Sequence, residues 1–438
     1  MEKRDSFLGL PAADERSAGQ VNAKSSAIER WLAVRLLDAL GKPRFAIRLW
    51  DGTDVYRGDR ERLATLRLSD RGAFWRLLRN PVLSFGDDYS CGRVEVAGGL
   101  SQLIRAYCED RLTLQRGSWL QRLLVLRPRI IPRNSLRRAR QNVHHHYDLG
   151  NDFYRLWLDE EMAYTCAYFS TEDASLEVAQ RAKFDLVCRK LRLEPGERVV
   201  EAGCGWGGLS LYMAREYGVS VDAYNVSREQ IAWARGRAAA EGLKDQVRFI
   251  EDDYRTIEGT YDCFVSIGMM EHVGHADFPR LGRVIDRSLS KRGRGLLHTI
   301  GHNVPGPVND WLAARIFPGA YPPTLREIAE TLEPYAFTVV DVENLRPHYA
   351  ETCRHWLERF EAHADEIEQR YGAPFVRAWR LYLAASAEHF ATGTIQLFQV
   401  LFTRPEVVDL PMTRDYMRPQ PTPRGDLPVA GQPRSQTR

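Results

Sequence analysis

The chain has 438 residues, of which 44% are hydrophobic and 27% charged, with a net charge of +3, a composition that predicts two domains with ample core. Its longest apolar runs fall far short of the roughly 20 residues needed to cross a bilayer, and Met1–Gln20 lacks the apolar segment of a signal peptide. The seven cysteines are scattered without a C-x-x-C pair, which argues against a disulfide framework or any metal site and for a reducing cytoplasm.

Taken in chain order, residues 1–26 are polar and are expected to form a flexible leader. Residues 27–125 read as a small α+β domain. It holds an amphipathic helix at Ile28–Leu40, strands near Phe45–Trp50 and Thr65–Leu68, a helix around Ala73–Asn80, a turn, and a helix at Leu100–Asp110. Residues 126–142 form a linker in which Arg127–Arg140 carries six arginines and no acid. Pro128 and Pro132 break any helix start there, so the segment is either a solvated connector or a contact with an anionic membrane surface. Near such a surface each basic residue contributes about 1 kcal/mol. No base-reading module accompanies it, and nucleic acid is not expected as a partner. The last 34 residues carry seven prolines and few large apolar groups, which predicts a disordered tail over residues 405–438.

Between the linker and the tail, about residues 143–404, lies the segment with most chemical content. Val199–Gly208 reads VVEAGCGWGG: a buried strand, a glycine turn and the start of a helix running to Tyr217. Glycine suits such a turn because it adopts positive φ and lets a ligand approach bare backbone, while the following helix start offers N–H groups to an anionic ligand group. Further strands are expected at Val219–Asn225, Gln246–Ile250, Tyr261–Ile267 and Gly295–Ile300, with a helix from Arg228 to Glu241 capped by Ser227. This α/β alternation predicts a mostly parallel sheet with ligands at the carboxyl ends of its strands. Glu201, Asn225, Asp252, Asp253, Glu271 and His298 fall at those ends. A dinucleotide-binding domain would prefer G-x-G-x-x-G and an acid at the second strand end; here the spacing is G-x-G-x-G and Asn225 stands there.

The arrangement resembles the Rossmann-type class I S-adenosylmethionine methyltransferases. The blocks His145–Phe169 (HHYDLGNDFYRLWLDEEMAYTCAYF), Gly268–Gly274 (GMMEHVG), Leu296–Gly301 (LLHTIG) and Ile395–Phe402 (IQLFQVLF) narrow it further. They resemble the cyclopropane-fatty-acyl-phospholipid synthase family, itself similar to the mycolic acid cyclopropane synthases. Phe85–Val96 (FGDDYSCGRVEV) is similar to that family's N-terminal lipid-associated domain. The resemblance implies methylene transfer from S-adenosylmethionine to a cis double bond in an unsaturated acyl chain of a membrane phospholipid. It implies a cytoplasmic enzyme bound peripherally at the inner face of the cell membrane; a homodimer is left open.

The resemblance also implies a bound bicarbonate as general base, with ligands at Cys166, Glu271, His298, Ile300 and Tyr349. The residue types suit such an anion, since backbone amides, His and Tyr donate to an oxyanion and a carboxylate accepts the bicarbonate proton. Three also have an ordinary structural reading, Cys166 as a small buried hydrophobe, His298 as a core histidine and Tyr349 as a loop cap, whereas a carboxylate at Glu271 is costly to bury without a partner. For the cofactor, the resemblance implies Tyr164 and Thr165 near the methionine end and Gly203, Gly205 and Gly207 at the turn. It places Asn225 and Gln230 at the ribose, Asp253 and Tyr254 near the adenine, and Glu201 on the amino group, directly or through water. The aromatic residues Tyr147, Phe153, Tyr154, Trp157, Tyr168 and Phe169 read equally as core or as the wall of an acyl tunnel. One departure stands out: where the family often has a cysteine, this chain has Ser386, which removes a nucleophilic-cysteine mechanism. Alternative readings are a methyltransferase giving a methyl-branched or methylene chain, methylation of a small polar acceptor, and a non-catalytic lipid-binding protein.

Overall fold

The computed structural model describes residues 8–10, 24–114 and 149–418. The basic linker, most of the leader, Tyr147 and residues 419–438 lie outside the described residues.

The N-terminal domain opens with α1 (Ala27–Ala39). Ser26 and Glu29 start it as a reciprocal capping box, each side chain satisfying the other's backbone N–H. Strands β1 (Phe45–Arg48), β2 (Asp54–Val55), β3 (Ala64–Leu68) and β4 (Val94–Ala97) form a sheet in the order β2-β1-β3-β4, with β1 and β3 parallel. Helices α2 (Arg71–Arg79), α3 (Pro81–Ser90) and α4 (Leu100–Leu114) complete the domain. The stretch expected as a turn after α2 is therefore largely helix. Asn80 caps it by accepting from Leu83 N, and Pro81 sits at the first helical position, where its missing N–H costs nothing.

The second domain begins with α5 (Asn151–Arg155) and α6 (Leu176–Leu191) and then alternates. β5 (Arg198–Ala202) leads to α7 (Gly208–Tyr217), β6 (Ser220–Asn225), α8 (Arg228–Ala240), β7 (Val247–Glu251), β8 (Tyr261–Ile267), the short α9 (Met270–Val273), α10 (Phe278–Ser288) and β9 (Leu289–Gly301). After α11 (Asp310–Arg315) and α12 (Leu325–Leu332) come β10 (Thr338–Asn344), α13 (Arg346–Ala362), α14 (Ala364–Tyr371), α15 (Ala373–Thr392) and β11 (Gln396–Thr403). The seven strands lie in the order β10-β11-β9-β8-β5-β6-β7. β7 through β9 pair parallel, and β11 runs antiparallel between β9 and β10. Chain order reverses between β5 and β8, the place where open α/β sheets bind ligands.

One face of this sheet packs on α6, α7 and α8, through residues such as Phe184, Leu211, Ile231 and Val265. The other packs on α10 and α12, through Phe264, Leu281, Ile328 and Phe402. A third apolar cluster joins the N-terminal domain to α13 and α15. Ion pairs cross that junction: Arg105–Glu388 at 2.8 Å, Arg377–Glu95 at 3.0 Å and Arg315–Asp87 at 2.8 Å. The segment 405–418, expected to belong to a disordered tail, instead docks beside the sheet. Arg414 pairs with Asp341 at 2.7 Å, and Met417 is buried with the α6 face. Among the described residues no helix is long and apolar enough to cross a membrane.

Candidate active site

At the carboxyl ends of β5, β6 and β8 lies a cavity of about 160 Å³, lined by Tyr164, Thr165, Glu201, Gly203, Gly205, Asn225, Gln230, Asp253 and Tyr254. The structure thus brings nine of the ten expected cofactor residues to one wall. Gly205 holds φ +54°, and a Cβ added there would meet nothing within 4 Å, so it faces open cavity. The tenth, Gly207, is held for a different reason. At φ +85° its Cβ would land 2.6 Å from Phe249 Cζ and 3.0 Å from Ala234 Cβ, so it lets α7 close on the core rather than meeting the cavity.

Asn225 and Gln230 act as a unit. Asn225 Nδ2 donates to Gln230 Oε1 at 2.7 Å and to the Gly205 carbonyl at 3.2 Å, tying the end of β6 to the glycine turn. Asp253 caps the turn after β7, accepting from Arg255 N at 3.0 Å. Tyr164 OH lies 2.7 Å from Tyr382 OH of α15. Glu201 is 3% exposed and accepts from the Ser210 hydroxyl of α7. Burial pushes its carboxyl up to about 7, against the opposing effects of Ser210 and Lys183.

Lys183, which carries no motif signal of its own, lines the same cavity from α6 and is 1% exposed. Burial pulls its ammonium down to about 8. Neighbouring Asp159 is pushed up to about 6 by burial, although its carboxyl accepts from Ala163 N and Glu161 N. His272, also outside the expected set, lines the cavity beside Met269, with burial pulling it down to about 4.

The five residues expected around the base do not line this cavity; they sit immediately behind it, with Cys166 next in the chain to Thr165 and Glu271 just after Met269. Glu271 is buried on α9. Its Oε2 accepts from Thr299 Oγ1 at 2.7 Å and its Oε1 from Ile300 N at 3.4 Å, which joins β8's end to β9. Burial pushes the Glu271 carboxyl up despite those donors. On β9, His298 lies across from Gln399 of β11, whose amide nitrogen is 3.1 Å from its Nδ1. With Gln399 donating, Nδ1 accepts and the proton sits on Nε2, which is buried with no hydrogen-bond partner among the described residues. Burial holds His298 down to about 3, so the ring is neutral. Cys166 is fully buried, its Sγ 3.1 Å from the Ala167 carbonyl, and burial pushes the thiol up. Tyr349 stacks on Phe390 at 4.3 Å between ring centroids. Its phenol is raised first by burial and further by nearby groups that include Cys166 and Glu271.

The aromatic residues divide between core and cavity. Phe153, Tyr154 and Trp157 are core: the Phe153 ring packs edge-on against Trp379 at 5.0 Å and Phe375 at 5.5 Å. Tyr168 stacks on His348 at 4.6 Å. The aromatic residues that line the cavity are Tyr164, Phe184, Trp206, Tyr224 and Tyr254. Ser386 is half-buried on α15, one turn before His389. His389 Nδ1 is engaged by Thr394 Oγ1 at 2.6 Å and lies 3.4 Å from Cys108 Sγ of the N-terminal domain.

Residues 134–400 match the family model described as mycolic acid cyclopropane synthetase, and residues 33–117 match one described as a domain of unknown function. The chain is 38% identical over 347 residues to the cyclopropane-fatty-acyl-phospholipid synthase of Escherichia coli K12, covering 78% of this chain and 88% of that protein. It is 35% identical to a probable fatty acid methyltransferase of Pseudomonas putida, covering 85% of this chain and 95% of the relative. The crystal structure of mycolic acid cyclopropane synthase CmaA1 complexed with SAH and CTAB matches with a TM-score of 0.57 at 30% identity. That match covers 60% of this chain and 98% of the other.

Proposed function

The chain belongs to the mycolic acid cyclopropane synthetase family of S-adenosylmethionine-dependent methyltransferases that transfer methylene to lipids. From that premise we propose that it converts the cis double bond of an unsaturated phospholipid acyl chain into a cyclopropane, with bicarbonate as the base. S-adenosylmethionine, when bound, supplies a methyl group on a sulfonium, and the net change is one CH₂ added across the alkene with one proton released. The residues present fit that cofactor. Gly205 leaves backbone bare toward the cavity, Asn225 and Gln230 form a polar pair for ribose hydroxyls, and Glu201 suits an ammonium.

The observation that carries the reading is the buried, neutral-leaning cluster behind the cavity. Among the described residues His298 Nε2 has no hydrogen-bond partner, Glu271 is held by Thr299 and Ile300, and nearby Cys166 adds to the burial that keeps the Tyr349 phenol protonated. These residues fit a small oxyanion: His298, Tyr349 and backbone amides donate, and Glu271 accepts the remaining proton. An alkene is a weak nucleophile, so the chain's own contribution is to hold it in line with the methyl and keep water out. The buried rings of Trp356 and Phe390, packed on Tyr349, support that exclusion.

Contact with a lipid surface fits the exposed face of α1. Ile28, Trp31 and Arg35 recur at helical spacing there, with the Arg35 guanidinium 5.2 Å from the Trp31 ring. Mass spectrometry of lipids from a host expressing the chain tests the reading. Gain of one methylene unit with loss of the double bond supports it. A methyl branch, a retained double bond or unchanged lipids would overturn the cyclopropane assignment.

A further inference from the structure

A buried lysine needs a reason. Lys183 lies on the core-facing side of α6, in line with Leu176, Ala179, Gln180 and Val187, all buried. An ammonium so placed is costly unless paired. Among the described residues its one hydrogen bond is to Thr165 Oγ1, at 2.8 Å, and no carboxylate makes a salt bridge with it. Thr165 is itself held in place, its carbonyl accepting from Gln180 Nε2 at 2.8 Å. An ammonium has three donors, so two remain, and Lys183 forms part of the cavity wall. The nearest acids are otherwise engaged: Asp159 by two backbone N–H groups and Glu201 by Ser210. The cavity therefore offers a buried cation and a buried carboxyl side by side, from α6 and β5. That charge pattern is the complement of an α-amino-acid zwitterion.

We infer that Lys183 binds the α-carboxylate of the cofactor's amino-acid end, with Glu201 taking its ammonium. Thr165, which also lines the cavity, orients the Lys183 Nζ. This rests on the cofactor reading above, and ligand truncation separates the two. Calorimetry on the full chain would compare S-adenosylhomocysteine, its decarboxylated analogue and 5′-methylthioadenosine. The wild-type chain is expected to prefer S-adenosylhomocysteine over the decarboxylated analogue by about thirtyfold, the worth of one charge-assisted hydrogen bond of about 2 kcal/mol. Lys183→Met is expected to lose that preference, weakening S-adenosylhomocysteine by about thirtyfold and leaving the other two ligands within about threefold. Lys183→Gln, which keeps a donor toward Thr165, serves the same comparison if the Met variant fails to fold. Equal weakening of all three ligands, or undiminished affinity for S-adenosylhomocysteine in a folded variant, would overturn the inference. Failure of the wild-type chain to bind any of the three would instead overturn the cofactor reading.

Discussion

Gly205 and Gly207, two residues apart in one turn, are expected to fail in opposite ways. Both hold positive φ, at +54° and +85°, so any L-residue at either position incurs about 1–2 kcal/mol of backbone strain. At Gly205 a side chain enters open cavity. Gly205→Val should therefore cost the fold little beyond that strain, offset by about 0.4–1 kcal/mol from a stiffer unfolded chain. Its branched side chain would occupy a cavity of only about 160 Å³. Affinity for S-adenosylhomocysteine should fall at least a hundredfold, about 2.8 kcal/mol. At Gly207 the added carbon lands 2.6 Å from Phe249 Cζ in the core. Gly207→Ala should add about 1–3 kcal/mol of overpacking to the strain, for a total of about 2–5 kcal/mol. Its folded fraction should bind within about threefold of the parent. Urea melts give the stabilities and calorimetry the affinities. A folded Gly205→Val chain that binds normally, or a stable Gly207→Ala chain that does not bind, would refute the assignment of the two glycines.

Glu271→Gln should lower kcat at least a hundredfold while cofactor affinity stays within about threefold, because the lost charge acts in the chemical step; normal turnover would remove Glu271 from the base site. Ser386→Ala should keep activity within about tenfold, a barrier change of about 1.4 kcal/mol, since His389 is engaged by Thr394; a thousandfold loss in a folded, cofactor-binding variant would make Ser386 part of the mechanism. Glu201 titrates near 7 in the folded chain against 4.5 for the free group, so its contribution to stability is fully present below pH 4.5 and is lost as pH rises through about 7. Affinity for the cofactor's ammonium should run the other way, rising from pH 5.5 to about 7 and levelling, and Glu201→Gln should flatten that profile; an unchanged profile would place the ammonium elsewhere.

The glycine turn, the strand ends and the parallel order were legible because each is encoded locally, by alternating apolar runs and punctuating glycines. The elements that escaped depend on distant partners. The stretch after Asn80 reads as a turn, yet Pro81–Ser90 forms α3. Gly86 is there because Trp311 of the other domain presses on it: a Cβ would meet Trp311 Cδ1 at 2.2 Å. β9 is longer than its apolar stretch because it begins at Leu289, which pairs with Tyr261 of β8, and Arg294 pairs with both Cys263 of β8 and Thr403 of β11. Residues 405–418 read as tail on composition, which cannot show that Asp341 awaits Arg414. Lys183 did leave a local signal. In AQRAKFDLV it occupies a position that helical spacing assigns to the buried stripe with Ala179, Gln180 and Val187, and a lysine there is the anomaly to follow.

The site's two ends differ in charge in a way that bears on product choice. At the amino-acid end, Lys183, Glu201 and Asp159 form a cluster whose carboxyls burial raises and whose ammonium burial lowers. Behind the cavity, His298 is neutral, the Cys166 thiol and Tyr349 phenol are held in their protonated forms, and Glu271 is pushed toward its own. A carbon cation formed beside that second cluster would meet a protonated thiol, a protonated phenol and an imidazole whose Nδ1 is engaged by Gln399. Nearby His389, one turn along α15 from Ser386, has its Nδ1 engaged by Thr394. With nucleophiles withheld and aromatic packing keeping water away, loss of a proton is the exit the surroundings leave open. Ring closure follows if the added methyl loses its proton while the cation is on the neighbouring carbon; after a 1,2-hydride shift the same loss gives a methylene chain, and loss from an adjacent chain carbon gives a methyl-branched alkene. On the proposed assignment, the choice among those products lies in which proton the base held by Glu271, His298 and Tyr349 would reach, not in the reactivity of any side chain.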